Sequence, residues 1–376
     1  MTIAVNTRLL LKDKLEGIGW FTYQLFLRIV RQHPEHTFLF LFDRKWSKEF
    51  VFAENVIPVK INPPARHPIL WHWWFNVSVP RVLKKYNVDL FVSPDGYLSL
   101  NTNVPSLQVI HDLNFEHFPN FVKENHAKYL RKYFPMFARK ATRIATVSEF
   151  SKNDIIKTYD ADEEKVDVIY NAAHKAYKKI SNEERETIKN KYSEGNEYFV
   201  FVSAFNPRKN ITNTLSAFKL FKEYNNTGHK LLMVGEKQYW TKEMQEAYDS
   251  CASDVILTGR LNVEELSKVM GSASVLVYAS KFEGFGIPII EAMKCGTPVI
   301  TSNVSSMPEV ALDAAMLVDP NKPDEIANAM SEIISNSTLR NELIEKGLKR
   351  SEFFSWDKSA ELLWKSMIKI LDDGKG

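Results

Sequence analysis

The sequence predicts an α/β protein built as two doubly wound, parallel-sheet domains, and three observations lead there. The chain has 376 residues, 44% hydrophobic and 25% charged, an ordinary globular balance that supplies two cores at about 150 residues per domain. Short apolar runs alternate with longer segments of helical spacing, the pattern of strand–helix–strand crossovers. That series occurs twice, on either side of a polar stretch rich in Lys, Glu and Asn at 172–197, which reads as a linker. Domains are therefore expected at 1–175 and 176–355, with a final amphipathic helix at 356–376.

In the first half, residues 3–5 read as a buried strand. Gly17-Ile18-Gly19 follows a short polar loop. From 20 to 31 Phe21, Leu25 and Ile29 recur every four residues, which is a helix. TFLFLF at 37–42 is a strand, 88–92 is another that precedes the turn Ser93-Pro94-Asp95-Gly96, and 106–110 is a strand that ends at His111-Asp112. Residues 123–140 are helical and basic, with a break expected before Pro135. A strand at 143–147, a helix at 148–159 and a strand at 166–169 close the series.

The second half repeats the plan. Strands are expected at 198–203, 230–234, 255–258, 275–278, 299–301 and 315–318, and helices at 211–224, 263–270, 288–295, 323–336 and 337–350. The segment 356–371 is amphipathic and has no strand after it. Short joins between strand and helix imply parallel pairing and right-handed crossovers. Two Rossmann-type domains facing each other would bring both carboxyl-end crevices to one cleft.

Cys251 and Cys295 are the only cysteines, too few for a disulfide framework or a thiolate metal site, and fit a reducing compartment. The apolar start is too short for a signal peptide, and no window approaches the roughly 18 apolar residues of a membrane span. A cytoplasmic protein is expected. The net charge of +3 divides into +8 over residues 1–180 and −5 over 181–376. A basic half suggests an anionic partner or peripheral contact with the inner face of the membrane. Nucleic acid is not expected, because no recognition module is present. The basic run Lys123, Lys128, Arg131, Lys132, Arg139, Lys140 and Arg143 reads either as a solvated helix face or as the border of such a surface. Trp71-His72-Trp73-Trp74-Phe75 reads either as core packing or as an acceptor- or membrane-facing patch.

The chemistry concentrates in VLVYASKFEGFGIPIIEAMKCGTPVITSNVSSMPE, residues 275–309. A strand leads to a loop with Gly284 and Gly286. Pro288 suits a first helical turn, Gly296 suits the position after the helix, and Pro298 prevents its continuation. The helix start offers free N–H groups and the positive dipole end to an anion. Glu283 and Glu291 bracket the turn, and paired carboxylates suit the hydroxyls of a sugar and a ribose. Arg208-Lys209, after a strand and before a helix, suits phosphate. Taken singly, Glu291 reads as a solvent-facing helix residue, His111 as a core histidine and Glu309 as a helix cap.

The segment EGFGIPIIEAMKCGTPVI resembles the E-x7-E signature of retaining GT-B glycosyltransferases, in particular family 4, the group 1 glycosyl transferases with mannosyltransferase-like members. The likeness spans residues 198–320, through SAFNPRKN, LMVG, TGRL and SSMPE, with weaker matches in the first half. Ser203 and Ala279 depart from the glycine and proline common there. The resemblance implies a GT-B fold whose last helix crosses back to the N-terminal domain. It implies a metal-independent, retaining hexosyltransferase without a cofactor, using a nucleotide-diphosphate sugar and a glycan or lipid-linked acceptor of surface-polysaccharide biosynthesis. It assigns Glu283 to the donor sugar's hydroxyls and the backbone of Gly284, Phe285, Gly286 and Ile287 to sugar and phosphate. Glu291 falls to the ribose, Arg208 and Lys209 to the diphosphate, and Gly235, Arg260 and Leu261 to the donor's border. Gly17 and Gly19 would approach the diphosphate from the other domain, and His111 would meet the sugar near its reacting carbon. Catalytic roles would fall to His111, Glu283 and Lys209. Other readings of the same residues are a nucleotide-sugar epimerase and a non-catalytic nucleotide-sugar-binding partner.

Overall fold

The computed structural model describes residues 1–373. Among the described residues, one unit comprises Met1–Asn171 and residues 355–373, and the other Ala172–Phe354. Each is an α/β unit around its own parallel sheet.

The first sheet contains β1 (Thr2–Asn6), β2 (Thr37–Phe42), β3 (Val56–Lys60), β4 (Leu90–Ser93), β5 (Ser106–Ile110), β6 (Arg143–Thr146) and β7 (Val166–Val168), in the order β3-β2-β1-β4-β5-β6-β7. Ile3 is paired with Phe38 on one side and Leu90 on the other. The central strands are buried on both faces, as helix-covered parallel strands must be. The winding direction reverses between β1 and β4, so their carboxyl ends flank the switch point, where α/β sheets place ligands. β3 has no counterpart in the sequence reading. It is the edge strand, it carries Pro58, and Ile57 is exposed, so neither apolar continuity nor alternation marks it.

The helix Gly17–Gln32 starts at the glycine pair and buries Phe21, Leu25, Phe26 and Ile29. At Gly19 a Cβ would lie 2.8 Å from the Leu9 carbonyl oxygen, so that close approach requires glycine. The final helix, Trp356–Asp373, belongs to this unit. Arg28 Nε donates to Asp357 at 2.6 Å, Ser359 Oγ donates to the Tyr170 carbonyl at 2.6 Å, and Ser366 bonds Asp167. The Trp364 ring stacks on His33 with centroids 3.7 Å apart.

One expectation for this unit is changed, and the tryptophan run is resolved. The helix Glu124–Lys140 runs through Pro135 without the predicted break. Its missing N–H orphans one carbonyl, that of Arg131, while buried Phe134 and Phe137 hold the turns on either side. The basic side chains of this region are partly neutralised, with Lys128 on Glu124, Arg131 on Glu116 and Arg143 on Asp167. The tryptophan run is mostly core. Trp71, Trp74 and Phe75 are buried, and the two indole N–H groups donate to the carbonyls of Ala65 and Ile61. Trp73 alone of that run's large rings faces outward, beside exposed Ile69 one turn earlier.

The second sheet contains β8 (Tyr198–Val202), β9 (Lys230–Val234), β10 (Val255–Gly259), β11 (Val275–Tyr278), β12 (Val299–Ser302) and β13 (Met316–Val318), in the order β10-β9-β8-β11-β12-β13. Here the switch lies between β8 and β11. The core is aromatic and aliphatic, with Phe199, Phe201, Phe218, Phe221, Val277 and Ile300 at its centre. The expected linker at 172–197 contains a helix, Asn182–Ser193. Its polar surface hides a capping box, in which Ser181 accepts from the Glu184 N–H and the Glu184 carboxylate accepts from the Ser181 N–H. Lys242–Asp249 is a further helix with no sequence forecast, capped by Thr241. Among the described residues no helix is long and apolar enough to cross a membrane.

Candidate active site

In the second unit, the carboxyl ends of β8 and β11 carry the charged residues that the sequence singled out. After β8 the chain makes one tight turn, Pro207–Lys209, before the helix Ile211–Tyr224. Asn210 stands between them in the left-handed region, with φ of 60°. Its buried amide donates to the carbonyls of Ala279 at 2.9 Å and Pro320 at 2.6 Å. The Lys281 N–H donates to the Arg208 carbonyl at 2.9 Å. The basic turn is thereby pinned to the loop after β11.

Glu283 sits in that loop and receives both cations. Arg208 Nη1 donates to Glu283 Oε2 at 2.7 Å and to the Phe282 carbonyl at 2.7 Å. Lys209 Nζ donates to Glu283 Oε1 at 2.6 Å and to the Tyr278 hydroxyl at 2.9 Å. The loop backbone is fixed as well: the Glu283 N–H donates to Ser305 Oγ, and Ser306 Oγ–H donates to the Glu283 carbonyl. The Glu283 side chain is 8% exposed. Burial by itself raises its pKa, but Arg208 and then Lys209 outweigh that and hold it down at about 2. Burial also pushes the Tyr278 hydroxyl well above its ordinary value, so it stays a neutral partner for Lys209. The three charges sum to +1, so the cluster keeps a net attraction for an anion.

The loop ends as the sequence reading expected. Gly286 caps the helix Ile287–Cys295 with φ of 94°, Pro288 lies in its first turn, and Gly296 ends it with φ of 73°. Gly284 and Phe285 are buried, and the Phe285 ring packs edge-on against Phe354. Glu291 lies on the helix and is only partly exposed. Burial raises its pKa to about 7, against a hydrogen bond from Tyr177 that lowers it. Glu283 is thus a permanent anion at neutral pH while Glu291 titrates there. Gly235 follows β9 with φ of 146°, and a Cβ would lie 1.7 Å from the Ser203 carbonyl oxygen. Arg260 and Leu261 follow Gly259 at the end of β10, where Arg260 is exposed. Glu309 lies in the first turn of the short helix Met307–Ala311, after the Ser306 cap position, and its carbonyl accepts from Arg350.

The other candidates belong to the first unit. Gly17 is exposed at the start of its helix and Gly19 is buried. His111 directly follows β5. Its Nε2–H donates to the Pro94 carbonyl at 2.8 Å, and its ring meets Phe21 edge-on at 4.9 Å. Burial lowers its pKa, which keeps the imidazole neutral. Asp112 accepts from the Asn114 N–H at 2.9 Å, a local turn bond.

Tyr177, Tyr278 and Asn210 are site residues that motif reading did not assign. Asn210 falls inside the matched run and Tyr278 ends a forecast strand, but only packing reveals their partners. Nothing near Tyr177 in sequence points to Glu291.

The family model for group 1 glycosyl transferases matches residues 182–350, and the model for glycosyltransferase family 4 matches residues 15–175. The chain belongs to glycosyltransferase family 4. This glycosyltransferase is 27% identical over 278 residues to the O-antigen chain mannosyltransferase B of Escherichia coli, covering 73% of each chain. It is 29% identical over 286 residues to the O-antigen chain mannosyltransferase RfbU of Salmonella typhimurium, covering 75% of this chain and 76% of that one. Among solved structures it resembles a glycosyltransferase from Rickettsia africae, with a TM-score of 0.75, 16% identity and 98% of each chain covered. It also resembles Anabaena HepE in complex with UDP-glucose, with a TM-score of 0.76, 17% identity, and 98% and 100% of the two chains covered. The two parallel-sheet units of this enzyme are those of the GT-B fold.

Proposed function

We propose that this glycosyltransferase moves a hexose, mannose or a close relative, from a nucleoside-diphosphate donor to a glycan or lipid-linked glycan during surface-polysaccharide assembly. The observation that carries the reading is the Arg208–Glu283–Lys209 cluster, set beside a helix N-terminus at the carboxyl ends of β8 and β11. The names of the O-antigen mannosyltransferase relatives support the sugar and the pathway class, and HepE, solved with UDP-glucose, supports the donor class.

In the proposed reaction Arg208 and Lys209 meet the charge that develops on the leaving diphosphate, with the free N–H groups at Ile287 and the Gly284–Gly286 backbone beside them. Glu283 orients sugar hydroxyls and shares the same two cations, and Glu291 takes the ribose. The bond from the anomeric carbon to the diphosphate oxygen breaks, and a bond to the acceptor oxygen forms on the same face. The acceptor's proton passes to the departing phosphate oxygen, so configuration is retained. In the first unit, His111 is proposed to face a sugar hydroxyl and the Gly17–Gly19 turn a phosphate. No metal is required, because the cations stand in for one. Exposed Trp73 and Ile69, with the basic helix Glu124–Lys140, supply peripheral contact with the inner membrane face.

A panel of nucleoside diphosphates and their sugars, read by thermal shift, tests the donor. A ligand at 100 times its Kd stabilises by about 2.7 kcal/mol. Lys209→Ala is expected to weaken nucleoside-diphosphate binding roughly ten- to a hundredfold, the scale of a charge-assisted hydrogen bond; unchanged affinity by calorimetry sinks the phosphate assignment. Proton NMR of the product's anomeric signal tests retention, and turnover in excess EDTA tests metal independence. Isomerisation of the donor without acceptor would mark an epimerase instead.

A further inference from the structure

The turn after β4 has no part in the reading above, yet it is braced from both neighbouring strands at the switch point of the first sheet. From β1, Asn6 Nδ2 donates to Asp95 Oδ1 at 2.7 Å and to Ser93 Oγ at 3.0 Å. Just past β1, Arg8 pairs with Asp95 Oδ2 and donates to the Ala65 carbonyl at 3.3 Å. The Arg8 guanidinium also lies over the Tyr97 ring at 4.6 Å. From β5, Gln108 Nε2 donates to the Gly96 carbonyl at 2.7 Å, and just past β5 His111 Nε2 donates to the Pro94 carbonyl at 2.8 Å. Gly96 itself has φ of 84° with the Phe134 ring 2.8 Å from where a Cβ would be, so a side chain at that position would strain the backbone and meet the ring.

Arg8 and Asp95 are each 8% exposed. A buried ion pair is a weak source of net stability, and breaking it from one side is costly. Its structural effect is specific: it fixes the peptide unit that ends in the Pro94 carbonyl. That carbonyl accepts only, so the His111 nitrogen facing it must carry the proton. In a neutral imidazole the remaining nitrogen, Nδ1, then holds a lone pair.

We propose that Arg8 and Asp95 are positioning residues for His111, locking it through the Pro94 carbonyl as the Nε2–H tautomer, so that it offers Nδ1 as an acceptor to a sugar hydroxyl. The proposal rests on the reading of His111 as a substrate-facing group and adds the direction of its hydrogen bond.

Long-range proton–nitrogen correlation NMR of the wild-type protein tests the first half, with the His111 signals assigned by their loss in His111→Gln. Nε2 protonated and Nδ1 bare is the expected result; a proton on Nδ1 overturns the proposal. In Asp95→Asn and Arg8→Gln the His111 signals should move towards the averaged values of an unfixed ring. Turnover should fall roughly ten- to a hundredfold, taking the scale for losing the outer hydrogen-bond partner of a metal-bound histidine, with donor KM unchanged. Arg8→Lys should restore tautomer and turnover in part. Asn6→Ala, which removes the hydrogen bonds to Asp95 Oδ1 and Ser93 Oγ and leaves the Arg8–Asp95 ion pair in place, carries the test if the charge variants unfold. Folded variants that keep both the wild-type tautomer and wild-type kcat overturn the proposal. Altered tautomer with unchanged kcat leaves the positioning intact and removes His111 from the reaction, so the two failures are separable.

Discussion

Lys209 Nζ stands 2.6 Å from Glu283 Oε1, and the acid that binds it is shared with Arg208. Two residues of one basic turn therefore have their geometry set by a residue of another loop. The loop's acid holds its charge because the two cations hold it, and the cluster as a whole keeps a net charge of +1.

Replacing that acid should be felt in acid solution. Glu283 has a pKa near 2 against an ordinary 4.5. A depressed carboxylate stabilises the fold fully above its unfolded value and loses that contribution as pH falls from about 4.5 towards about 2. Glu283→Gln should lower Tm at pH 7 and remove most turnover. The gap in Tm between variant and wild type should close on acidification through that window. A constant gap from pH 7 to pH 2, read by circular dichroism, would mean that the charge is not what holds the cluster.

Glu291 has the opposite sign. Burial raises its pKa to about 7, so the folded protein binds more protons than the unfolded chain between about 4.5 and about 7. Stability therefore falls as pH rises through that interval and levels off above it. Donor affinity should run the other way, because an ionised carboxylate is the better acceptor for two ribose hydroxyls. Calorimetry between pH 6 and 8 should show binding tighten with pH in the wild type and stay flat in Glu291→Gln. A flat wild-type profile would count against the ribose assignment.

Gly235 is a packing constraint whatever its role towards donor. Its Cβ position is 1.7 Å from the Ser203 carbonyl oxygen at a φ of 146°. Gly235→Ala should cost about 2–4 kcal/mol, in the range of severe single substitutions. The midpoint of urea unfolding measures it, and a midpoint within error of wild type would show that the strand ends separate freely.

Ser181→Ala should destabilise the second unit by about 1 kcal/mol, the usual value of an N-cap. Glu184→Ala should cost less, since it removes only the reciprocal bond. Hydrogen exchange across Asn182–Ser193 should rise in the first variant; unaltered protection there would show that the helix is held by its packing and ion pairs and not by its cap.

Much of the fold was legible because parallel strands buried on both faces are continuous apolar runs. Thr37–Phe42, Ser106–Ile110 and Lys230–Val234 match their forecast bounds. β3 was not legible, since an edge strand with Pro58 carries no such run. The helix at Asn182–Ser193 was hidden by composition, although Ser181-x-x-Glu184 was a readable start signal. At the site, Glu283 and Glu291 stood out through their spacing and the glycines between them, and Arg208 and Lys209 through their place between a strand and a helix. That Arg208 and Lys209 converge on Glu283 was not readable, because a contact across some 75 positions leaves no local mark. Tyr177 beside Glu291 and Arg8 beside Asp95 were hidden for the same reason.

The last helix completes the unit that the first residues begin, for Trp364 stacks on His33 and Ser359 reaches Tyr170. During synthesis on the ribosome, the whole of Ala172–Phe354 therefore emerges before the first unit receives its closing piece. A nascent chain released before that point carries the Phe21 and His33 surface without its cover. Premature termination late in the message thus damages the earliest-made part of the enzyme.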